Sequence, residues 1–151
     1  MESTGKAAVA EFVTTFALIF IGAGAVVAQS LGLDLTGVAL AQDIASGKGI
    51  VIEATTTFFL VFAVFGTAVD PRGPWSKTAG LTIGLVIAFD IMAFGPYTGA
   101  AMNPARWFGP ALASGSWANW FVWIIGPIAG AIIAAVLYAT VFLKDREPVT
   151  P

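Results

Sequence analysis

Long apolar stretches alternate with short polar ones along this 151-residue chain. Four stretches, at about residues 7–28, 49–69, 78–94 and 117–143, are long and apolar enough to cross a bilayer as helices, which takes about 20 residues. Residues 29–48 are too polar for a further span. The pattern predicts an all-α membrane protein in which residues 1–151 form one transmembrane domain.

The polar interruption before the last span predicts a re-entrant loop at residues 95–116. Asn103 is a good helix N-cap, and Pro104 suits the first helical position because its missing N–H would have no partner there. Pro110 and the Ser-Gly-Ser that begins at Ser114 limit this helix to a length of roughly 15 Å, about half of a bilayer core. A helix of that length at membrane depth must face protein or a water-filled cavity.

Arg106 stands in the first turn of this short helix. The N-terminal end of a helix already carries about half a positive charge, which disfavours a cation there. A lone arginine at membrane depth is also expensive and marks a functional site by default. We therefore take Arg106 as the first candidate for function, with a buried, ion-paired arginine in a structural turn as the alternative.

The residues of this loop carry a family resemblance. The sequence reads Gly95-Pro96-x-Thr98-Gly99-x-Ala101-Met102-Asn103-Pro104-Ala105-Arg106-x-Phe108-Gly109-Pro110. It resembles the second signature loop of the major intrinsic protein family, the aquaporins and glycerol facilitators. The resemblance implies a passive channel for water, with small neutral solutes such as glycerol as further candidates, that works without catalysis or a cofactor. It also implies a homo-oligomer, a tetramer, in a lipid bilayer.

The resemblance also assigns roles to individual residues. The implied pore and selectivity residues are Asn103, Pro104, Ala105, Arg106, Ile91 and Ala100, and the implied pore-lining backbone belongs to Thr98, Gly99, Ala101 and Met102. Ile91 and the small Ala100 at the constriction imply a pore wider and less polar than a strict water pore.

Three acidic residues lie in the apolar spans: Glu11, Glu53 and Asp90. Residues 10–24 align with 52–66 at seven identical positions of fifteen, including both glutamates, which indicates an internal repeat. We expect the glutamates to be structural carboxylates that accept backbone N–H groups of re-entrant loops. Asp90 is expected to bond the same backbone or to pair with Arg106, and a cation site is the alternative.

The chain departs from the family in having one Asn-Pro-Ala where the family has two. The second span, the first half-helix and the third span are missing from the pattern, which predicts four transmembrane helices plus one re-entrant half-helix in an aquaporin-like partial fold. One alternative function is a non-conducting homologue that acts only in membrane assembly. A third hypothesis is an ion or proton pathway through Asp90 and the glutamates.

The composition and charge of the chain indicate its class, its partners and its orientation in the membrane. Charged residues make up only 11% of the chain, hydrophobic residues 58%, and the mean hydropathy is +0.87, as in a membrane protein. The net charge of −2 and the lack of a basic face argue against nucleic acid, and with no Cys or His we expect no metal site. Five basic residues against two predict cytoplasmic N- and C-termini in a plasma or inner membrane.

Overall fold

The computed structural model describes residues 38–70 and 78–143, and within these ranges all regular structure is helical. The helices are α1 (Ser46–Val64, continued by a π-helical turn at Phe65–Val69), α2 (Ala79–Thr98), α3 (Pro104–Ser114) and α4 (Val122–Tyr138, continued by a π-helical turn at Ala139–Leu143). The predicted first span at 7–28, and Glu11 with it, lies outside the described residues.

Three of these helices are long and apolar enough to cross a membrane. They cover Ser46–Val69, Ala79–Thr98 and Val122–Leu143, with 24, 20 and 22 residues. The fourth, α3, has 11 residues and is about 16 Å long, so it reaches only about halfway through a bilayer core. The prediction of an all-α membrane fold is confirmed.

The helix ends around the loop differ from those predicted. α2 continues through Pro96 to Thr98, whereas the sequence placed its end at residue 94. A proline this close to the C-terminus removes one hydrogen bond without breaking the helix, and Gly99, at φ 78°, ends it instead. α4 begins at Val122 rather than at 117, because the chain is still turning at Asn119, whose φ is 55°.

Glycines let α1 and α4 pack closely. A Cβ atom added to Gly126 would lie 2.7 Å from the Cβ of Glu53 and 2.9 Å from the carbonyl oxygen of Ile50. One added to Gly130 would overlap the Ala54 carbonyl group. Small residues at such positions bring two helix backbones together inside a membrane, where van der Waals packing replaces the hydrophobic effect. α2 packs on the same helix, so α1 lies at the centre of the described bundle.

A hydrogen bond joins α1 and α4 at the end of the bundle opposite the loop. The Tyr138 hydroxyl donates to Asp70 Oδ2 over 3.0 Å, and both side chains are buried. The Tyr138 ring also packs edge-on against Phe62, with ring centroids 5.2 Å apart. Polar and aromatic contacts therefore hold the two helices together at this end.

We expect Gly130→Ala to destabilise the protein by about 1–3 kcal/mol, because the new methyl group overlaps the α1 backbone, which cannot rotate away. Gly84→Ala is the matched control, since a Cβ added to Gly84 meets nothing within 4 Å. Thermal unfolding in detergent micelles, followed by circular dichroism, measures both variants. Equal melting temperatures would contradict the close α1–α4 contact.

Candidate functional site

The candidate site is built on the non-helical backbone that joins α2 to α3. Gly99, Ala100 and Met102 adopt positive φ values of 78°, 41° and 55°. Glycine adopts this left-handed region freely, whereas alanine and methionine do so only where the surroundings compensate for the strain. The segment must therefore be held in place by contacts from the rest of the bundle.

Glu53 on α1 provides the main contact. Its Oε1 atom accepts hydrogen bonds from the Thr98 hydroxyl, 2.6 Å away, and from the Ala101 N–H, 3.0 Å away. Its Oε2 atom accepts one from the Met102 N–H over 2.8 Å. The side chain is fully buried, and three donors around one carboxylate offset much of the cost of burying it. Glu53 thus fixes both peptide N–H groups of the sharpest part of the loop.

Further hydrogen bonds secure the end of α2. The Thr98 hydroxyl accepts from the Ala100 N–H over 3.1 Å, and the Thr98 carbonyl accepts from the Trp123 indole N–H over 3.1 Å. The Ala41 N–H, from the segment before α1, donates to the Tyr97 carbonyl over 2.9 Å. Since these partners come from different parts of the chain, the loop cannot shift without disturbing the whole bundle.

The N-terminus of α3 lies directly after the anchored loop. Asn103 Oδ1 accepts the Ala105 N–H over 2.8 Å, and Pro104 occupies the first helical position, as the sequence predicted. Asn103 itself is exposed, whereas Ala101 and Met102 just before it are buried. The positive end of the α3 dipole therefore opens onto space that the described residues do not fill.

Arg106 places a full positive charge at this end of α3. Its Nη1 atom donates to the Ala100 carbonyl, and a second contact reaches the Ala101 carbonyl over 3.4 Å. The side chain is half-buried, and the nearby Glu53 carboxylate attracts it electrostatically. Two carbonyl dipoles and one carboxylate thus compensate for a cation in an unfavourable position beside a helix N-terminus.

Two tryptophans hold α3 against α4. The rings of Trp107 and Trp123 stack with centroids 5.7 Å apart and planes 7° from parallel. Both are buried in one cluster with Ala101, Ala111 and Val122. Trp123 was missed by the sequence interpretation, although an indole inside an apolar span is a signal, because a buried N–H needs an acceptor.

The remaining predicted residues lie around this centre. Ile91 is half-buried on α2, and Ala100 is fully buried with its carbonyl directed to Arg106. Asp90 does not make the expected bond to the loop backbone or to Arg106. Its Oδ2 atom is buried with no hydrogen-bond partner in the described part of the chain, and the Arg106 guanidinium bonds carbonyl groups instead of Asp90. Within residues 38–70 and 78–143, no group of three or more acidic residues could hold a metal ion.

A short helix set among helices long enough to span a membrane, with its positive end beside an anchored, irregular backbone, is the geometry of a membrane protein with a re-entrant loop. The sequence model of the major intrinsic protein family matches residues 30–138. The chain therefore belongs to the major intrinsic protein family, whose members are channels rather than enzymes, and the resemblance seen in the loop is confirmed.

Curated relatives agree with this assignment. The chain is 43% identical to aquaporin TIP4-4 of Zea mays over 112 residues, which are 73% of this chain and 44% of that protein. It is 40% identical to aquaporin TIP2-1 of Arabidopsis thaliana over 119 residues, 78% of this chain and 48% of that protein. Aquaporin TIP1-2 of Musa acuminata is 42% identical over 113 residues, 74% of this chain and 45% of that protein. The chain thus matches slightly less than half the length of these relatives.

We expect Glu53→Gln to destabilise the loop, because an amide NH₂ in place of one carboxylate oxygen leaves the N–H of Met102 or of Ala101 without an acceptor. Each unsatisfied buried donor costs about 1–3 kcal/mol. Hydrogen exchange at these two amides, with the melting temperature, measures the effect. Asp43→Asn, at an exposed acid, is the control. Unchanged protection of both amides in Glu53→Gln would contradict the anchoring role.

Proposed function

We propose that this chain forms a passive transmembrane channel for water and for small neutral solutes such as glycerol. One observation carries the proposal: the exposed N-terminus of α3, with Asn103 at its tip and Arg106 in its first turn, is held at a fixed place by the buried Glu53 carboxylate. A channel needs this kind of rigid polar surface inside a membrane, and a purely structural turn does not.

Positive charge at the loop supplies the selectivity. The Arg106 guanidinium and the α3 dipole together repel cations and hydronium ions, while neutral molecules pay no such penalty. The Asn103 side-chain oxygen is occupied by the Ala105 N–H, so its amide nitrogen remains to donate a hydrogen bond to a passing oxygen atom. Arg106 has further N–H donors besides those on Nη1. They can replace hydrogen bonds to water that a permeating molecule loses when it leaves bulk water.

The constriction residues set the solute size. Ile91 is apolar and Ala100 is small, and neither adds a polar group to compete with Arg106. A pore bounded by these residues accepts molecules with a carbon skeleton as well as water. Small uncharged polyols are therefore included in the proposed substrate class.

Topology and assembly complete the proposal. The charge bias of five basic residues to two supports cytoplasmic termini, so that the loop enters from the opposite face of a plasma or inner membrane. A homotetramer is the proposed assembly. α1, α2 and α4 each expose large apolar side chains, among them Phe59, Leu81 and Ile132, that suit contact with lipid or with a neighbouring copy.

Osmotic swelling of vesicles containing the purified protein tests the proposal. We expect them to equilibrate faster than protein-free vesicles in both water and glycerol gradients, because neutral molecules meet a low barrier. Arg106→Ala is expected to pass small cations that the unaltered protein excludes, because the fixed charge at the constriction is gone.

Lys48→Ala is the matched control, since Lys48 is an exposed cation on α1 outside the site, and its swelling and ion leak should equal those of the unaltered protein. Swelling at the rate of protein-free vesicles would overturn the proposal and leave a membrane assembly protein. A voltage-driven current through the unaltered protein would instead indicate an ion pathway.

A further inference from the structure

Asp90 is a buried acid that the proposed channel mechanism does not use. It lies near the middle of α2, only 6% of its surface is exposed, and its Oδ2 atom is sealed from solvent without a hydrogen-bond partner. The other two buried acids of the described bundle both have hydrogen-bond donors. Glu53 accepts from three donors, and Asp70 accepts from the Tyr138 hydroxyl over 3.0 Å. Among the described residues, this oxygen of Asp90 therefore lacks the partner that a buried, charged carboxylate requires.

The size of the space around Oδ2 restricts what this partner can be. A bound water needs room for about one water-sized sphere and two to four polar neighbours, and a metal ion needs several ligands. Neither condition is met at an oxygen that has no contact with solvent and that no metal-binding group among the described residues surrounds. A proton needs no additional volume, and it removes the charge that is expensive to bury.

We propose that Asp90 is a proton-binding site, occupied in the folded protein in its membrane, and that loss of this proton loosens the re-entrant loop through Glu53. Protonation converts the carboxylate into a neutral carboxyl with one O–H bond, and the proton comes from and returns to water. The effect on the loop rests on the proposed channel function. The proton site itself does not.

The surroundings of Asp90 support this coupling. α1 and its π-helical turn are the described elements packed against α2. The charged residues they carry are Lys48, which is exposed, and Glu53, which repels a charged Asp90 electrostatically. On α2 itself the other titratable group is the exposed Tyr97. Glu53 is therefore the group that responds most directly when Asp90 loses its proton.

Asp90 and the loop are connected through α2. Asp90 and Thr98 are eight residues apart on α2, a spacing that places both side chains near one face of the helix. Thr98 donates its hydroxyl hydrogen to the same Glu53 oxygen that holds the Ala101 N–H. A second negative charge that repels Glu53 disturbs this three-donor arrangement, and the anchored conformation of Ala100 and Met102 loses its main support.

Infrared spectroscopy tests the proton site without any reference to transport. In lipid vesicles near neutral pH, we expect a carbonyl stretching band of a protonated carboxyl group in the unaltered protein and in Asp70→Asn, and no such band in Asp90→Asn. Asp70→Asn is a matched control because Asp70 is equally buried but has a hydrogen-bond donor. A missing band in the unaltered protein, or one that persists in Asp90→Asn, would overturn the proposal.

A labelled sample covers the case in which Asp90→Asn does not fold. Asp70→Asn is prepared with ¹³C-labelled aspartate carboxyl groups, and the protonated-carboxyl band is expected to move to lower frequency. An unmoved band would assign the proton to a glutamate and would refute the Asp90 site.

The pH profile of water permeability tests the effect on the loop. From mildly acidic to strongly alkaline buffer, we expect the swelling rate of the unaltered protein to fall severalfold and that of Asp90→Asn to stay constant, because asparagine cannot ionise. A constant rate in the unaltered protein would refute the coupling. If the unaltered protein never exceeds protein-free vesicles, the channel proposal fails, and the infrared result still decides the proton site.

Discussion

The structure depends on one buried carboxylate. Glu53 extends from the first described helix and binds two backbone N–H groups and one hydroxyl of the loop. Without those bonds, two non-glycine residues in left-handed conformation and a helix N-terminus would have to remain in place at membrane depth unsupported. Because lipid offers no hydrogen bonds, a protein group must supply them. The charge of Glu53 makes each bond stronger and also balances the nearby Arg106.

Close helix packing is what allows Glu53 to reach the loop. Gly126 and Gly130 let α4 approach α1 until backbone meets backbone, and Trp123 on α4 then bonds the carbonyl at the end of α2. The same tryptophan stacks on Trp107 and fixes α3. Four helices therefore meet at one point through a few buried contacts, although van der Waals packing alone holds much of the remaining interface.

Function follows from what this anchoring leaves exposed. The satisfied groups of the loop face inward to Glu53, whereas Asn103 and part of Arg106 remain open beside the positive end of α3. A fixed positive region of this kind repels cations, which is the physical basis of the proposed selectivity. The family assignment agrees with this physical interpretation, and the match to slightly less than half of each relative's length makes vesicle transport the decisive property to measure.

The sequence by itself determined the membrane class, the short helix opened by Asn103 and Pro104, the family, and the presence of acids in the spans. These features follow from local patterns, namely apolar length, capping chemistry and a dense motif. Only the tertiary structure decided which two loop amides Glu53 holds, that Trp123 secures the end of α2, and that Asp90 Oδ2 has no donor among the described residues. Such contacts join residues tens of positions apart, and which side chains meet across helices depends on rotation and packing distance that no local pattern specifies.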